Sequence, residues 1–110
     1  MSRSIYIGRL TGWKTEKEFN RSVFRLAEQF GWLSYTTFAS VFSAKGFPDL
    51  VLVHPARKRV IFAELKMPKG KLTDYQKNWK EKLIQAGAEY YLWRPDDWDS
   101  IIYLLTDGTA

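Results

Sequence analysis

Pro48-Asp49-Leu50-Val51-Leu52-Val53-His54, then Pro55-Ala56-Arg57-Lys58-Arg59, then Val60-Ile61-Phe62-Ala63-Glu64-Leu65-Lys66 is the stretch that decides the fold. Two short apolar runs rich in β-branched residues read as strands near Leu50 to His54 and Val60 to Lys66. The five polar residues between them have the length of an antiparallel hairpin connection. Side chains alternate across a strand, so Glu64 and Lys66 share one face while Leu65 points to the other. Folding the chain back about Arg57 sets Asp49 near Leu65, within one residue of Glu64, and the two carboxylates converge at one edge of the sheet. Converging carboxylates repel unless a cation lies between them. A hard divalent ion such as Mg²⁺ takes oxygen ligands and suits two carboxylates plus a phosphate oxygen. The backbone carbonyl of Leu65 adds a further oxygen, and Lys66 is placed to orient a water or neutralise developing charge.

Taken singly, a Glu-x-Lys triplet is an ordinary surface charge pair and Pro-Asp an ordinary turn opening. Their position at the ends of two buried-looking strands joins them. The rest of the chain supplies the elements around this hairpin. Thr15 opens a helix through about Phe30, with Phe19, Val23 and Phe30 on its apolar face and Gly31 as its stop. Leu33 to Phe38 reads as a first strand, and Ala39 to Phe47 as a small-residue loop. After a Pro/Gly/Lys loop, a helix from about Asp74 to Ala86 carries Tyr75, Trp79, Leu83 and Ala86 at helical spacing. A strand over Glu89 to Arg94 and a helix from Pro95–Trp98 to about Leu105 complete the order α-β-β-β-α-β-α. Trp32, Trp79 and Trp93 read as core residues, whereas Trp13 reads as a hydrophobic staple or a dimer contact.

Two acids compete in the first helix. Thr15-Glu16-Lys17-Glu18 fits a capping box, in which Glu18 reaches back to the Thr15 amide. Glu16 lies three residues before Phe19 and seven before Val23, on the core-facing stripe, so it is favoured over Glu18 as the active-site acid. Thr73-Asp74-Tyr75-Gln76 is a second capping box, which gives Gln76 a structural task beside any chemical one.

Composition narrows the chemistry. At 110 residues, 45% of them hydrophobic, the chain is expected to form a single domain over 1–110 with its core at about 14–105. The absence of cysteine excludes disulfides and thiolate zinc sites, and the single histidine, His54, makes a histidine metal site or a Ser-His triad a poor fit. His54 reads as a hairpin-flanking residue without a chemical role. No segment has the length of a membrane span or the pattern of a signal peptide, so a cytoplasmic protein is expected. The formal charge of +5 favours a polyanionic partner. Lys66, Lys69 and Lys71 run past the candidate metal site, and Lys77, Lys80 and Lys82 follow on the next helix, at least half of them as a solvated face. Phe38 and Phe42 are candidates for nucleic-acid or partner contact. The apolar stretch Ile5-Tyr6-Ile7-Gly8, with Phe38, Val41 and Phe42, is a candidate dimer interface.

The ordered segments Gly46-Phe47-Pro48-Asp49-Leu50, Phe62-Ala63-Glu64-Leu65-Lys66 and Lys69-Gly70-Lys71-Leu72-Thr73-Asp74-Tyr75-Gln76 resemble the virus-type replication-repair nuclease (VRR-NUC) domain. That domain is a branch of the PD-(D/E)xK nuclease superfamily, and the likeness runs from about Lys14 to Leu105. It implies an α/β restriction-endonuclease-like core, a mixed central sheet flanked by helices. By the same resemblance Asp49 and Glu64 are metal ligands, Lys66 is the catalytic lysine, Gln76 the helix-borne glutamine and a first-helix acid, Glu16 in preference to Glu18, the further active-site carboxylate. Ser43, Lys45, Lys69 and Lys71 are then the nucleic-acid contacts. The implied cofactor is Mg²⁺, with Mn²⁺ substituting. The implied activity is structure-specific DNA cleavage of the junction-resolvase kind by a homodimer in a bacterial or phage-infected cell. The competing expectation is a non-catalytic DNA-binding or phage assembly module that keeps the fold.

Overall fold

The computed structural model describes residues 12–38 and 42–106. Helix α1 covers Glu16–Gln29. Thr15 Oγ1 accepts the Glu18 amide at 3.1 Å, and the Glu18 carboxylate turns back to the amide of Lys14 at 2.8 Å, one residue short of the reciprocal bond to Thr15 that the sequence predicts. Trp13 packs on Phe19 and Trp98, with ring centroids 5.0 and 4.9 Å away. This is the staple role, and it turns Trp13 inward.

Strand β1, Leu33–Thr36, stops two residues before the predicted Phe38. The Thr37 amide still bonds the Asp49 carbonyl at 3.0 Å, but the Phe38 amide turns to Thr36 Oγ1 and leaves the ladder. Strands β2, Leu50–His54, and β3, Arg59–Leu65, form the expected hairpin. Its connection is four residues: a 3₁₀ turn over Pro55–Arg57 and Lys58 in the left-handed region at φ 54°. His54 Nδ1 accepts the Arg57 amide and its Nε2 bonds the Phe30 carbonyl, so this histidine braces the turn against the end of α1. The tighter turn pairs His54 with Arg59 and Leu50 with Ala63. Continued by one residue, that register sets Asp49 level with Glu64 rather than with Leu65.

Helix α2, Asp74–Gln85, carries the chain to β4, Glu89–Trp93, which runs parallel to β3. A 3₁₀ turn over Pro95–Asp97 leads into α3, Trp98–Thr106. The sheet order is β1-β2-β3-β4. Leu50, Leu52, Ile61, Ala63, Leu65 and Trp93 bury their side chains against Phe19, Val23, Leu26 and Ala27 of α1 and Trp98, Ile101 and Leu105 of α3. Burial of large side chains of this kind contributes roughly 1.5–3 kcal/mol each. Trp32 joins this core and donates its indole N–H to the Leu105 carbonyl at 2.9 Å, where Arg57 also caps the end of α3.

The opposite sheet face carries Val51, Phe62, Glu64, Tyr90 and Leu92 by strand alternation. Helix α2 lies on this side, and none of its residues is buried. Trp79 is accordingly outside the core, contrary to the sequence reading. Phe47 wedges between it and the sheet, 5.0 Å from Trp79 and 6.3 Å from Phe62, and Trp79 stays partly exposed.

Candidate active site

Five of the predicted residues, Asp49, Glu64, Leu65, Lys66 and Gln76, meet where β2 begins and β3 ends. Leu65 has its side chain in the core, and its amide donates to Asp49 Oδ2 at 2.9 Å, anchoring that carboxylate to the end of β3. Glu64, on the other face, is 1% exposed, and Lys66 beside it is 9% exposed. The Lys66 amide continues the β3–β4 ladder to the Trp93 carbonyl at 3.0 Å. Gln76 Nε2 donates to Glu64 Oε2 at 2.8 Å.

The orientation of Gln76 is fixed by the capping box of α2. Its Oε1 accepts the Thr73 amide at 2.9 Å while its own amide bonds Thr73 Oγ1 at 3.1 Å. An oxygen committed to the cap leaves the NH₂ group facing Glu64. Helix capping and carboxylate positioning are therefore one arrangement.

The electrostatics are those of crowded acids. Burial pushes the Glu64 carboxyl up to about 9, the Asp49 charge adds to this, and Lys66 opposes it. Asp49 is also raised, first by burial, against the lowering effect of the Leu65 amide. The two carboxyl groups lie within hydrogen-bonding reach of each other, and the charge of Glu16 raises both. Glu16 thus faces the pair from the first turn of α1, while Glu18 is spent on the cap.

This donor set fits a hard cation of the magnesium kind. Among the described residues no three His, Cys, Asp or Glu side chains form a cage for a metal ion. Mg²⁺ is ordinarily held by one or two carboxylates together with waters and substrate phosphates, which is what a meeting pair of buried carboxylates offers.

Lys45, Lys69, Lys71 and Ser43 all lie exposed, outside the acid cluster. The loop bearing Ser43 and Lys45 is tied to α2: Trp79 Nε1 donates to the Lys45 carbonyl at 3.1 Å, and Lys45 Nζ stands 5.1 Å from the Tyr75 ring centroid. Gly46, at φ +80°, makes that approach possible, because a Cβ there would lie 2.4 Å from the Tyr75 carbonyl carbon. Between Lys69 and Lys71, Gly70 lies over the Lys66 stem, with its Cβ position 3.2 Å from Lys66 Cδ.

Sequence reasoning missed three residues here. Arg94 Nη1 donates to the carbonyls of Met67 and Gly70, at 2.7 and 2.8 Å, and clasps the loop that follows Lys66. Tyr90 stands on the Glu64 face, and burial, then the charges of Glu64 and Asp49, push its phenol above the ordinary tyrosine range. Neither could be found without knowing that β4 pairs parallel to β3. Asn20, one turn after Glu16, is 4% exposed and bonds Thr36 Oγ1 at 3.4 Å. Its signal was available as a polar residue on the apolar stripe of α1.

A mixed sheet flanked by helices, with paired carboxylates and a lysine at the ends of its central hairpin, defines an α/β domain of the nuclease type. The model of the VRR-NUC domain family matches residues 10–96, and the chain belongs to that family. A solved structure described as a VRR-NUC domain is similar in fold, with TM-score 0.65 and 24% identity over 79% of this chain and 92% of that one. No curated protein matches the chain. Among the described residues no helix is long and apolar enough to cross a membrane.

Proposed function

We propose that this protein is an endodeoxyribonuclease that hydrolyses phosphodiester bonds with Mg²⁺, or Mn²⁺ in its place. The observation that carries the reading is the Asp49–Glu64 pair, two carboxyl groups gathered beside Lys66, the first held by the Leu65 amide and the second by Gln76. A binding module has no need for such a pair, whose joint ionisation is unfavourable unless a cation compensates it.

Asp49, Glu64 and the Leu65 carbonyl would hold the ion. When bound, it supplies positive charge that polarises the scissile phosphate and makes a water acidic enough to attack. Lys66, on the Glu64 side, stabilises the charge that gathers on the phosphate or orients the attacking water. Gln76 keeps the Glu64 carboxylate in place, and Glu16 adds negative charge that favours the cation. Ser43, Lys45, Lys69 and Lys71 line the approach as phosphate contacts. The preferred substrate is branched DNA cut by a homodimer, each subunit providing one site. Phe42, 95% exposed, and Phe38, 38% exposed, are the described residues expected at that contact; Val41 and Ile5 to Gly8, also expected there, lie outside the described residues.

Nicking of supercoiled and branched DNA in Mg²⁺ tests the reading. Asp49→Asn and Glu64→Gln should abolish cleavage while retaining fold and DNA affinity. Lys66→Ala should still bind Mn²⁺ by calorimetry yet turn over more slowly by orders of magnitude. Wild-type rates in either carboxylate variant would remove the site.

A further inference from the structure

Between α1 and β1 lies a groove of about 340 Å³. Its lining combines three kinds of side chain. Lys17, Arg21 and Arg25 recur every four residues along α1 and are exposed as one basic stripe. Among the described residues none of the three is recorded in an ion pair. Phe24 and Phe38 supply ring surface from the two walls, Phe38 being 38% exposed. Asn20 also lines it, and its buried Nδ2 has no hydrogen-bond partner among the described residues. Glu28 closes the end remote from the acids.

The groove shares its wall with the candidate active site. Lys17 follows Glu16 in the chain, Asn20 stands one turn further along α1, and its partner Thr36 pairs with Leu50, next to Asp49. The Thr37 amide bonds the Asp49 carbonyl itself. The N-terminal turn of α1 and the end of β1 thus border both the groove and the acids.

We infer that the α1–β1 groove binds single-stranded DNA adjoining the cleavage site, with phosphates along Lys17, Arg21 and Arg25 and an unstacked base against Phe24 and Phe38. A basic track beside aromatic faces is the combination that single strands require, because the charges follow the backbone and every base has a π-face to stack. A duplex keeps its bases stacked inside and has no use for the rings. This inference extends the nuclease reading to the structure of its substrate, an unpaired segment beside the scissile bond.

The test measures binding without cleavage. Fluorescence anisotropy in EDTA, with a labelled single-stranded oligonucleotide and a blunt duplex, compares the wild-type protein with Arg21→Glu/Arg25→Glu and with Phe38→Ala. The double variant should lose single-strand affinity on the order of a hundredfold and flatten the slope of log K against log salt by about 1.4, or ~0.7 per phosphate contact. Phe38→Ala should lose on the order of tenfold on the single strand and leave the duplex unchanged. Unchanged single-strand affinity in both variants overturns the inference. So does an equal loss on the duplex with Phe38→Ala silent, which makes the stripe a duplex backbone track. Failure of the wild-type protein to cleave in Mg²⁺ would reject the nuclease reading, and the EDTA titrations would still decide the groove.

Discussion

Glu64→Gln should stabilise the protein in EDTA while it eliminates catalysis, by an amount that grows with pH. In the folded protein burial and the Asp49 charge raise the Glu64 carboxyl from 4.5 to about 9, so at neutral pH it holds its proton. The unfolded chain releases that proton above about pH 4.3. A raised acid therefore costs nothing below the unfolded value, and stability falls as pH climbs from there toward the folded value. The slope is about 1.4 kcal/mol per pH unit, which amounts to roughly 4 kcal/mol at pH 7. Glutamine copies the protonated acid: its oxygen can accept from Gln76 Nε2 and its NH₂ can donate to Asp49, so the contacts survive without the proton linkage. Thermal unfolding followed by circular dichroism in EDTA between pH 5 and pH 9 is the assay. At pH 7 the midpoint of the variant should exceed the wild type by roughly 15 °C, since 1 kcal/mol moves a domain of this size by about 4 °C. The two should converge toward pH 5. A variant less stable than wild type at pH 7, or a gap that ignores pH, would refute the account of Glu64 as a buried acid that keeps its proton.

Three further outcomes are expected. Gln76→Ala removes both the cap acceptor and the donor to Glu64; it should lower stability by about 1 kcal/mol, as loss of a helix cap does, and reduce the cleavage rate about tenfold with little change in KM. Gly46→Ala places a Cβ against the Tyr75 and Gln76 backbone at a positive φ, so urea unfolding should show a loss of about 2 kcal/mol or more, as backbone strain and overpacking combine. Phe42→Asp should convert a dimer to a monomer by light scattering, with paired junction incision lost before simple nicking; a wild-type monomer that makes paired cuts efficiently would remove the interface.

How much of this was legible beforehand follows from the distance over which each feature is encoded. The strands at Leu50 and Val60, the Thr15 and Thr73 caps and the identity of the acids and lysine depend on neighbours a few residues away. Alternation, cap spacing and turn chemistry carry that information in the sequence itself. The one-residue register error at Asp49 arose because the His54–Arg57 brace shortened the turn, and that brace requires α1 to lie alongside. The overestimate of Trp79 burial has a similar origin: helical spacing reveals an apolar stripe but not that Phe47 would occupy the space beneath it.

The sequence by itself determined which residues could hold a cation and on which elements they stand, because side-chain chemistry and local periodicity are properties of short segments. Tertiary structure alone decided that Gln76 reaches Glu64, that Arg94 clasps the loop over Lys66, that Tyr90 shares the acid face and that α1 and β1 enclose a basic, aromatic groove. Each of these joins segments far apart in the chain. Their meeting is fixed by the parallel pairing of β3 with β4 and by burial of the common core, which no local pattern specifies.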